Sequence, residues 1–528
     1  MPNAIDIDQS ARGRPGNSAA LIAENRQLRD TIQSLEQQLD WFKRQLFGQK
    51  SEKRLIEANP DQGSLFEGLV GQPAKAEPTD TITYQRRQGK KPRSEADVTA
   101  EGLRFSADVP LESIALTPAQ LRGPEADQYD TIGEKRSYRL AQRPGSYVVL
   151  EYIRPIIKHK ASEALISPPM PSAVFPGCIA DVSVLAGILV DKFAYHLPLY
   201  RQHQRLADAG ITLSRSTLTN WVKRSIALLE PIVDAQLQHI LQSRVLAVDE
   251  TPIKAGMQGK GKLHQGWFWP VFGEDEEIVF TYSPTRATQH LESVLGDSAG
   301  TLLSDGYSAY DCYAKQRDQV TQAQCWVHTR REFLKAEQLE PEATAEALEL
   351  IAALYVIEQQ MRDKDLTGAQ KRDYRALHSL PVVDRFFAWC HEQRQRLDLT
   401  PSNPLTKALA YATKREAPLR VFLSDPEVPP DTNHLERALR VIPMGRRNWL
   451  FCWSEVGAKQ VGVIQSLLTT CRMQGVDPYV YLVDVLQRVS LHPNRDVIAL
   501  TPRLWKERFA KAPLRSDLAL KQSDSETQ

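Results

Sequence analysis

Two aspartates stand where chemistry is possible. Asp249 ends the apolar run in "RVLAVDETPIKAG" (244–256), and Asp305 sits in "TLLSDGYSAY" (301–310), 56 residues further on. Carboxylates forced together repel and raise each other's pKa unless a cation lies between them. A hard divalent ion such as Mg²⁺ prefers oxygen ligands and removes that cost. With a third carboxylate, two ions about 4 Å apart can be held, which is the arrangement that serves phosphoryl transfer. The third acid has a candidate in "DTNHLERALRVIPMGRRNWLF" (431–451): Glu436 is followed by Arg437, Arg440, Arg446 and Arg447, cations suited to DNA phosphates. Each acid also has a structural reading. Asp before Gly is a common turn former, and Asn433 three residues before Glu436 spells a helix N-cap with its reciprocal acid. Glu416, Glu427 and Glu455 lie in the same part of the chain.

Positioning such acids requires rigid strand ends. The pattern predicts strands at 245–248, 266–272 ("GWFWPVF") and 277–283 ("EIVFTYS"), a helix from Thr285 to Leu295, and a strand over 301–310. Three hairpin-like strands, a helix and a fourth strand match the order of a ribonuclease H-like core, in which the first and fourth strands are neighbours, so Asp249 and Asp305 would meet. Alternation along a strand sends adjacent side chains to opposite faces, so only one of Asp249 and Glu250 should face Asp305. The stretch from about 335 to 425 is mostly helix-forming and reads as a helical insertion. In "CWVHTRRE", Cys325 and His328 have the spacing of half a metal site, but a second pair is missing, which argues against zinc.

Upstream, Leu21, Leu28, Leu35 and Phe42 take one seam of a heptad pattern, while Ile32, Leu39 and Leu46 take the other together with Asn25. A seam Asn fixes register, so from Leu21 the pattern predicts a parallel coiled-coil dimer, with residues 1–55 read as an N-terminal arm and this coil; a helix packed on its own chain would show the same stripe. Residues 56–114 form a polar linker carrying Arg86, Arg87, Lys90, Lys91 and Arg93, and "RGRP" (Arg12 to Pro15) has the shape of a minor-groove arm. "KRSYRLAQRPGSYVVLEYIRPII" (135–157) alternates on both sides of Pro-Gly, which predicts a β-hairpin within a small domain over 115–175. Over 176–240, Leu199 to Ala209 is helical in period, Gly210 breaks it, and Ser214 or Ser216 can cap a second helix. This is a helix-turn-helix pattern, with Arg215, Ser216, Thr217, Asn220, Lys223 and Arg224 on the recognition helix. Between Asp191 and Arg224 there are six Lys or Arg against two Asp or Glu. An ordinary helical hairpin would have the same spacing. The net charge of +1 makes any DNA-binding surface local. A catalytic core over 241–475 and a C-terminal helical segment over 476–528 complete the expected organisation. Six scattered cysteines without a CxxC pair argue against a disulfide framework. No secretory signal or run of about 18 apolar residues is present, so a cytoplasmic, nucleoid-associated protein is expected.

The chain resembles transposases of the insertion sequence 66 family, from about residue 20 to about residue 500. The matching blocks are "QLFGQKSEKR", "HLPLYRQ", "LSRSTLTNWV", "DETP", "DGYSAY", "CWVHTRREF", "LYVIE", "NHLERALR", "GRRNWLF" and "GVDPYVYLVDVL". The resemblance implies a DDE-type enzyme. Asp249, Asp305 and Glu436 would form the acidic triad and bind two Mg²⁺ or Mn²⁺ ions, cleaving at transposon ends and joining them to target DNA. It further implies that His328 and Arg330 or Arg331 support the acids or orient DNA, and that companion proteins of the same element take part. Two departures stand out. The family's paired zinc-finger cysteines are missing from 115–175, and the acid block reads Asp431-Thr432-Asn433 where Asp-Asn-Asn is usual. A catalytically inactive, DNA-binding descendant and a structure-selective nuclease are the rival readings.

Overall fold

The computed structural model describes residues 102–520, apart from 108, 144, 260, 261, 450, 451 and 453. The expected coiled coil, the "RGRP" arm and the basic run at 86–93 lie outside the described residues. The described residues all belong to one compact unit, of mixed α/β construction.

The segment nearest the amino terminus supplies β1 (Arg104–Phe105) and β2 (Leu111–Ala115). The predicted hairpin follows as β3 (Tyr129–Arg143) and β4 (Ser146–His159), closing with Arg143 opposite Ser146. β4 also carries β2 in parallel and β5 (Leu165–Ile166) antiparallel. Three helices come next: Val182–Phe193, Leu199–Asp208 and Arg215–Ile240. The break at Gly210 has φ +83°, and a Cβ there would stand 2.0 Å from Ser106 Oγ, so conformation and space both demand glycine. β6 (Ile211–Thr212) pairs with β1, and Ser214 then caps the next helix by accepting from Thr217 N.

That long helix leads into the sheet that matters most: β7 (Val245–Val248), β8 (Thr251–Gly259), β9 (Lys262–Phe272), β10 (Ile278–Ser283), β11 (Gly300–Ser304) and β12 (Val320–Gln324). Its order is β10-β9-β7-β11-β12, with β8 also paired to β9. β7 runs antiparallel to β9 and parallel to β11. All four β7 residues are buried, as expected of a central strand covered on both faces. The helix Glu455–Met473 covers the edge strand: Ser466 Oγ accepts from Phe280 N at 2.9 Å and Thr470 Oγ1 from Ile278 N at 3.3 Å. Those bonds occupy N–H groups that an open edge would offer to another chain.

Three local expectations are corrected. The strand read over 301–310 ends at Ser304, because Asp305 Oδ1 accepts from Tyr307 N at 2.8 Å and turns the chain into the helix Ser308–Lys315. β8 was not expected, since Pro252 and two glycines discourage a strand. It forms with register shifts at Ala255/Met257 and Met257/Gly259, which absorb the misfit. Asn433 is not the N-cap of its helix: Thr432 holds that position without a side-chain bond, and both Asp431 carboxylate oxygens accept from Asn433.

Between 335 and 425 the chain is helical, in Pro341–Asp363, Gly368–Tyr374, Leu380–Gln393, Pro404–Thr413 and Glu416–Ser424. Trp326 docks these helices, its ring packed on Phe386, Phe387 and Phe422 and its Nε1 donating to Leu419 O at 2.9 Å. Arg375, fully buried, pairs with Glu358 and donates to the carbonyls of Phe422, Asp425 and Val428.

Candidate active site

Strand pairing brings the two aspartates together. Leu303 of β11 lies opposite Ala247 of β7 in a parallel ladder. Two steps further, Asp305 comes level with Asp249. The ligand atoms of Asp249, Glu250 and Asp305 all lie within 4.8 Å of one another.

The sequence expectation that only one of Asp249 and Glu250 can face Asp305 fails for a physical reason. β7 stops at Val248, so both acids occupy the step into β8 rather than an alternating strand. Asp249 Oδ1 folds back to accept from Glu250 N at 2.7 Å.

The acids are nevertheless unequal. Glu250 is already compensated: Arg286 pairs with it, Nε donating at 2.9 Å, and the buried Tyr310 hydroxyl donates to its other oxygen. Arg286 is in turn stacked over Tyr307 at 3.8 Å and Trp267 at 4.8 Å, and Tyr307 donates to its carbonyl. Among the described residues Asp249 has no comparable cation. Burial, then Glu250, and then Asp305 and Glu436 push its carboxyl up to about 8. A side chain held so far from its ordinary range in a cluster of like charge is a candidate for a functional site.

Glu436 does not join the tight group of three, but its charge acts on Asp249. His328 Nε2 stands 3.7 Å from its Oε1 and Arg331 Nη2 3.7 Å from its Oε2, too long for hydrogen bonds. Its Oε1 is buried without a hydrogen-bond partner. An orphaned carboxylate oxygen beside two aspartates is a donor set that fits a hard divalent cation. Burial pushes His328 below its usual pKa, against the opposing pull of Asp305, which favours a neutral ring. Arg330 lies elsewhere, acting on Tyr355 together with Asp431.

Cys325 joins the two halves of the site. Its backbone N donates to Ser304 O at 3.2 Å, one residue before Asp305, and its Sγ accepts from Thr432 N at 3.4 Å and Thr432 Oγ1 at 3.3 Å. Burial raises its thiol pKa. The helical stretch adds Arg415, whose Nη2 donates to Gly306 O at 3.0 Å. A Cβ on Gly306 would meet Tyr411 OH at 2.5 Å and Arg415 Nε at 2.8 Å. The glycine of the Asp-Gly pair thus leaves room for the ends of the Tyr411 and Arg415 side chains as well as making the turn.

The other sequence candidates divide. Arg437, Arg440 and Arg447 are exposed, whereas Arg446 donates to Pro252 O on β8 and is partly buried. On the helix after Gly210, Arg215, Ser216, Asn220 and Lys223 are exposed; Arg215 lies over Tyr200, and Ser216 and Thr217 bond the Ser214 hydroxyl. Arg224 is turned away, stacked at 4.2 Å on Phe175 and bonded to Pro176 O. Sequence reasoning missed Arg286 and Arg415. Each is a lone cation far along the chain from its partner, and no local pattern marks it.

Such a site on a mixed sheet defines a protein with a clustered-carboxylate centre suited to divalent cations. The particular family follows from comparison. Residues 177–460, more than half of the chain, match the model described as Transposase IS66 family, and residues 466–503 match the IS66 C-terminal element. Residues 34–103 match a model described as Transposase C of IS166 homeodomain. This chain belongs to the IS66 transposase family. It is similar to three proteins of Sinorhizobium fredii. These are Uncharacterized protein y4hP (28% identity, covering 91% of this chain and 90% of the relative), y4jD (30%, covering 71% and 76%) and y4qI (26%, covering 92% of each). Among the described residues no helix is long and apolar enough to cross a membrane.

Proposed function

We propose that this chain is a metal-dependent DNA transposase of the DDE type on a ribonuclease H-like core, acting at the terminal inverted repeats of a bacterial insertion sequence. The observation that carries the reading is the parallel register of β7 and β11, which sets Asp249 level with Asp305. The strand order β10-β9-β7-β11-β12 supports the core assignment. In this reading Asp249, Asp305 and Glu436 hold Mg²⁺ or Mn²⁺. When bound, two such ions activate the attacking oxygen and stabilise the leaving one.

The residues then have distinct tasks. Glu250 is kept out of competition by Arg286 and Tyr310. Arg331 offsets the charge of Glu436 from 3.7 Å, His328 lines its other side, and Cys325 fixes the approach of its helix to Asp305. Arg437, Arg440 and Arg447 meet backbone phosphates, while Arg215, Ser216, Asn220 and Lys223 face the DNA ends. In the first step water attacks phosphorus and the P–O3′ bond breaks, leaving a 3′-hydroxyl. In the second that hydroxyl attacks a target phosphate, exchanging one phosphodiester for another. A coiled-coil dimer through the heptads at 21–46, the basic linker at 86–93 as a further DNA contact, and the domain limits drawn above belong to the same proposal.

The test is a cleavage assay on inverted-repeat DNA with and without Mg²⁺. Wild type should nick the ends and transfer them. Asp249→Asn should bind the ends and leave them intact; full cleavage by that variant would overturn the assignment. End binding without metal-dependent cleavage identifies an inactive descendant, and cleavage without transfer identifies a nuclease.

A further inference from the structure

Residues 251–273 hold Lys254, Lys260, Lys262 and His264 and no acid, in a chain with 65 Asp or Glu against 66 Lys or Arg. They fold as β8 and β9, which run on past the rest of their sheet. β10 stops with Ser283 opposite Trp267, whereas β8 and β9 stay paired out to Gly259 and Lys262. The root of this ribbon is braced: Cys452 N donates to Lys254 O at 2.9 Å, Gly256 N donates to Cys452 O at 3.3 Å, and Arg446 donates to Pro252 O. Farther out only two strands remain, and a two-stranded ribbon is marginally stable in water by itself.

The ribbon leads away from the acidic cluster. β7 and β8 both pair antiparallel with β9, so β8 carries on in the direction of β7 from just beyond Asp249 and Glu250. At about 3.3 Å per residue, Lys254 stands about 13 Å beyond Glu250. That distance matches about four steps of DNA at about 3.4 Å of axial rise each. Exposure alternates along the strand: Ile253 and Ala255 are buried, while Lys254 and its cross-strand partner Gln265 are exposed. Trp267 follows two residues along on the same face, where Arg286 stacks on it at 4.8 Å while pairing with Glu250. One surface therefore runs from the acids over Arg286 to Gln265 and Lys254. Glu250, at its start, is already neutralised by Arg286. Glu455, close to the bulge at Gly256, belongs to the opposite face, where its charge acts on Tyr282 and the Tyr282 hydroxyl lies against Gly266. Among the described residues the Lys254 and Lys262 ammonium groups have no acid or hydrogen-bond partner.

We propose that the β8–β9 ribbon is a DNA arm. Lys254 takes a backbone phosphate about four nucleotides from the one at the acids, Gln265 adds a neutral donor to the same backbone, and Lys262 takes a phosphate farther out. Contact is with the backbone rather than with base edges, so the arm sets how the duplex lies in the site and not which sequence is read. The inference rests on the DNA-processing reading above.

The test uses the full-length protein and an inverted-repeat duplex, with binding measured over a range of salt concentrations. Each phosphate contact contributes about 0.9 to the slope of log affinity against log salt, so Lys254→Gln and Lys262→Gln should each lower the slope by about that amount, and Lys254→Arg should keep it. Both lysines are exposed, so melting should not change. In a second arm, single uncharged methylphosphonates replace phosphates along each strand. One placed about four nucleotides from the position that wild type cleaves with Mg²⁺ should weaken wild-type binding and cost Lys254→Gln nothing further. An unchanged slope in Lys254→Gln, or a Lys254→Gln variant that senses that phosphate as wild type does, overturns the proposal. So does a fall in slope that Lys254→Arg shares, since the fall would then follow a fold defect and not a lost charge. In each of these cases metal-dependent cleavage by wild type leaves the transposase reading standing. Wild type that neither binds nor cleaves the duplex overturns both.

Discussion

Two clusters along one sheet have nearly the same ingredients and opposite states. At the strand ends, Asp249, Glu250 and Asp305 gather; at the turn between β9 and β10, Asp275 and Glu277 gather with His239. In the second cluster the protein supplies its own cation. Arg503 stands 3.4 Å from Glu277 and 3.7 Å from Asp275, and donates towards His239 at 3.1 Å, while His239 bonds Glu277 at 2.7 Å. In the first, the internal cation Arg286 bonds Glu250, and Asp305 feels its charge at longer range without a bond. Asp249 and Asp305 are left with backbone N–H partners. Proximity of acids is thus a poor guide to a metal site on its own. What separates a structural clamp from a candidate centre is whether a built-in arginine has already neutralised the group.

The comparison can be broken in several places. The largest effect belongs to Asp305→Asn, which should lower metal-dependent cleavage by more than about three orders of magnitude while leaving the fold intact; a modest loss would mean that Asp305 is only a turn former. Arg503→Ala should cost about 3 kcal/mol in denaturant unfolding, because it leaves the buried Glu277 with His239 alone and no arginine charge. Mn²⁺ should restore part of that loss by taking the place of the guanidinium. No response to Mn²⁺ would show that the two clusters differ by more than an arginine.

The next effect depends on pH. In metal-free protein the Asp249 carboxyl is pushed up to about 8 from an ordinary 3.8. A raised acid disfavours the folded state once the pH passes the unfolded value, so the penalty begins near pH 4, grows to about pH 8 and is constant above. Asp249→Asn removes it. In chelator at pH 8 this variant should be more stable than wild type, by on the order of 2 kcal/mol after allowing for solvent, and equal at pH 4. Equal melting at pH 8 would remove the electrostatic half of the comparison. The smallest effect expected is that of Arg286→Ala, which frees Glu250 to compete for cations and should reduce cleavage about tenfold.

Local grammar was legible where the physics is local. The hairpin that closes with Arg143 opposite Ser146, the break at Gly210 and the Ser214 cap follow from residues a few positions apart, and the structure has them there. The meeting of Asp249 and Asp305 was legible through strand order, since parallel neighbours share their carboxyl ends. The pairing of Arg286 with Glu250, the bond from Thr432 to Cys325 and the reach of Arg415 to the Gly306 carbonyl were not, because they join residues 36, 107 and 109 positions apart. The expectation that only one of Asp249 and Glu250 could face Asp305 also misled: alternation applies inside a strand, and both residues lie just past its end. Glu436 was identified by resemblance, and the orphaned Oε1 supplies a physical reason to look at it.

The most direct measurement of the central claim is a Mn²⁺ titration of the full-length protein on its end DNA, followed by electron paramagnetic resonance. Wild type and Arg503→Ala should both bind Mn²⁺ at the acidic site, whereas Asp249→Asn, Asp305→Asn and Glu436→Gln should each weaken or lose that binding while still holding DNA. Undiminished Mn²⁺ binding by Asp249→Asn, with DNA bound as in wild type, would contradict the claim that this carboxylate is a metal ligand.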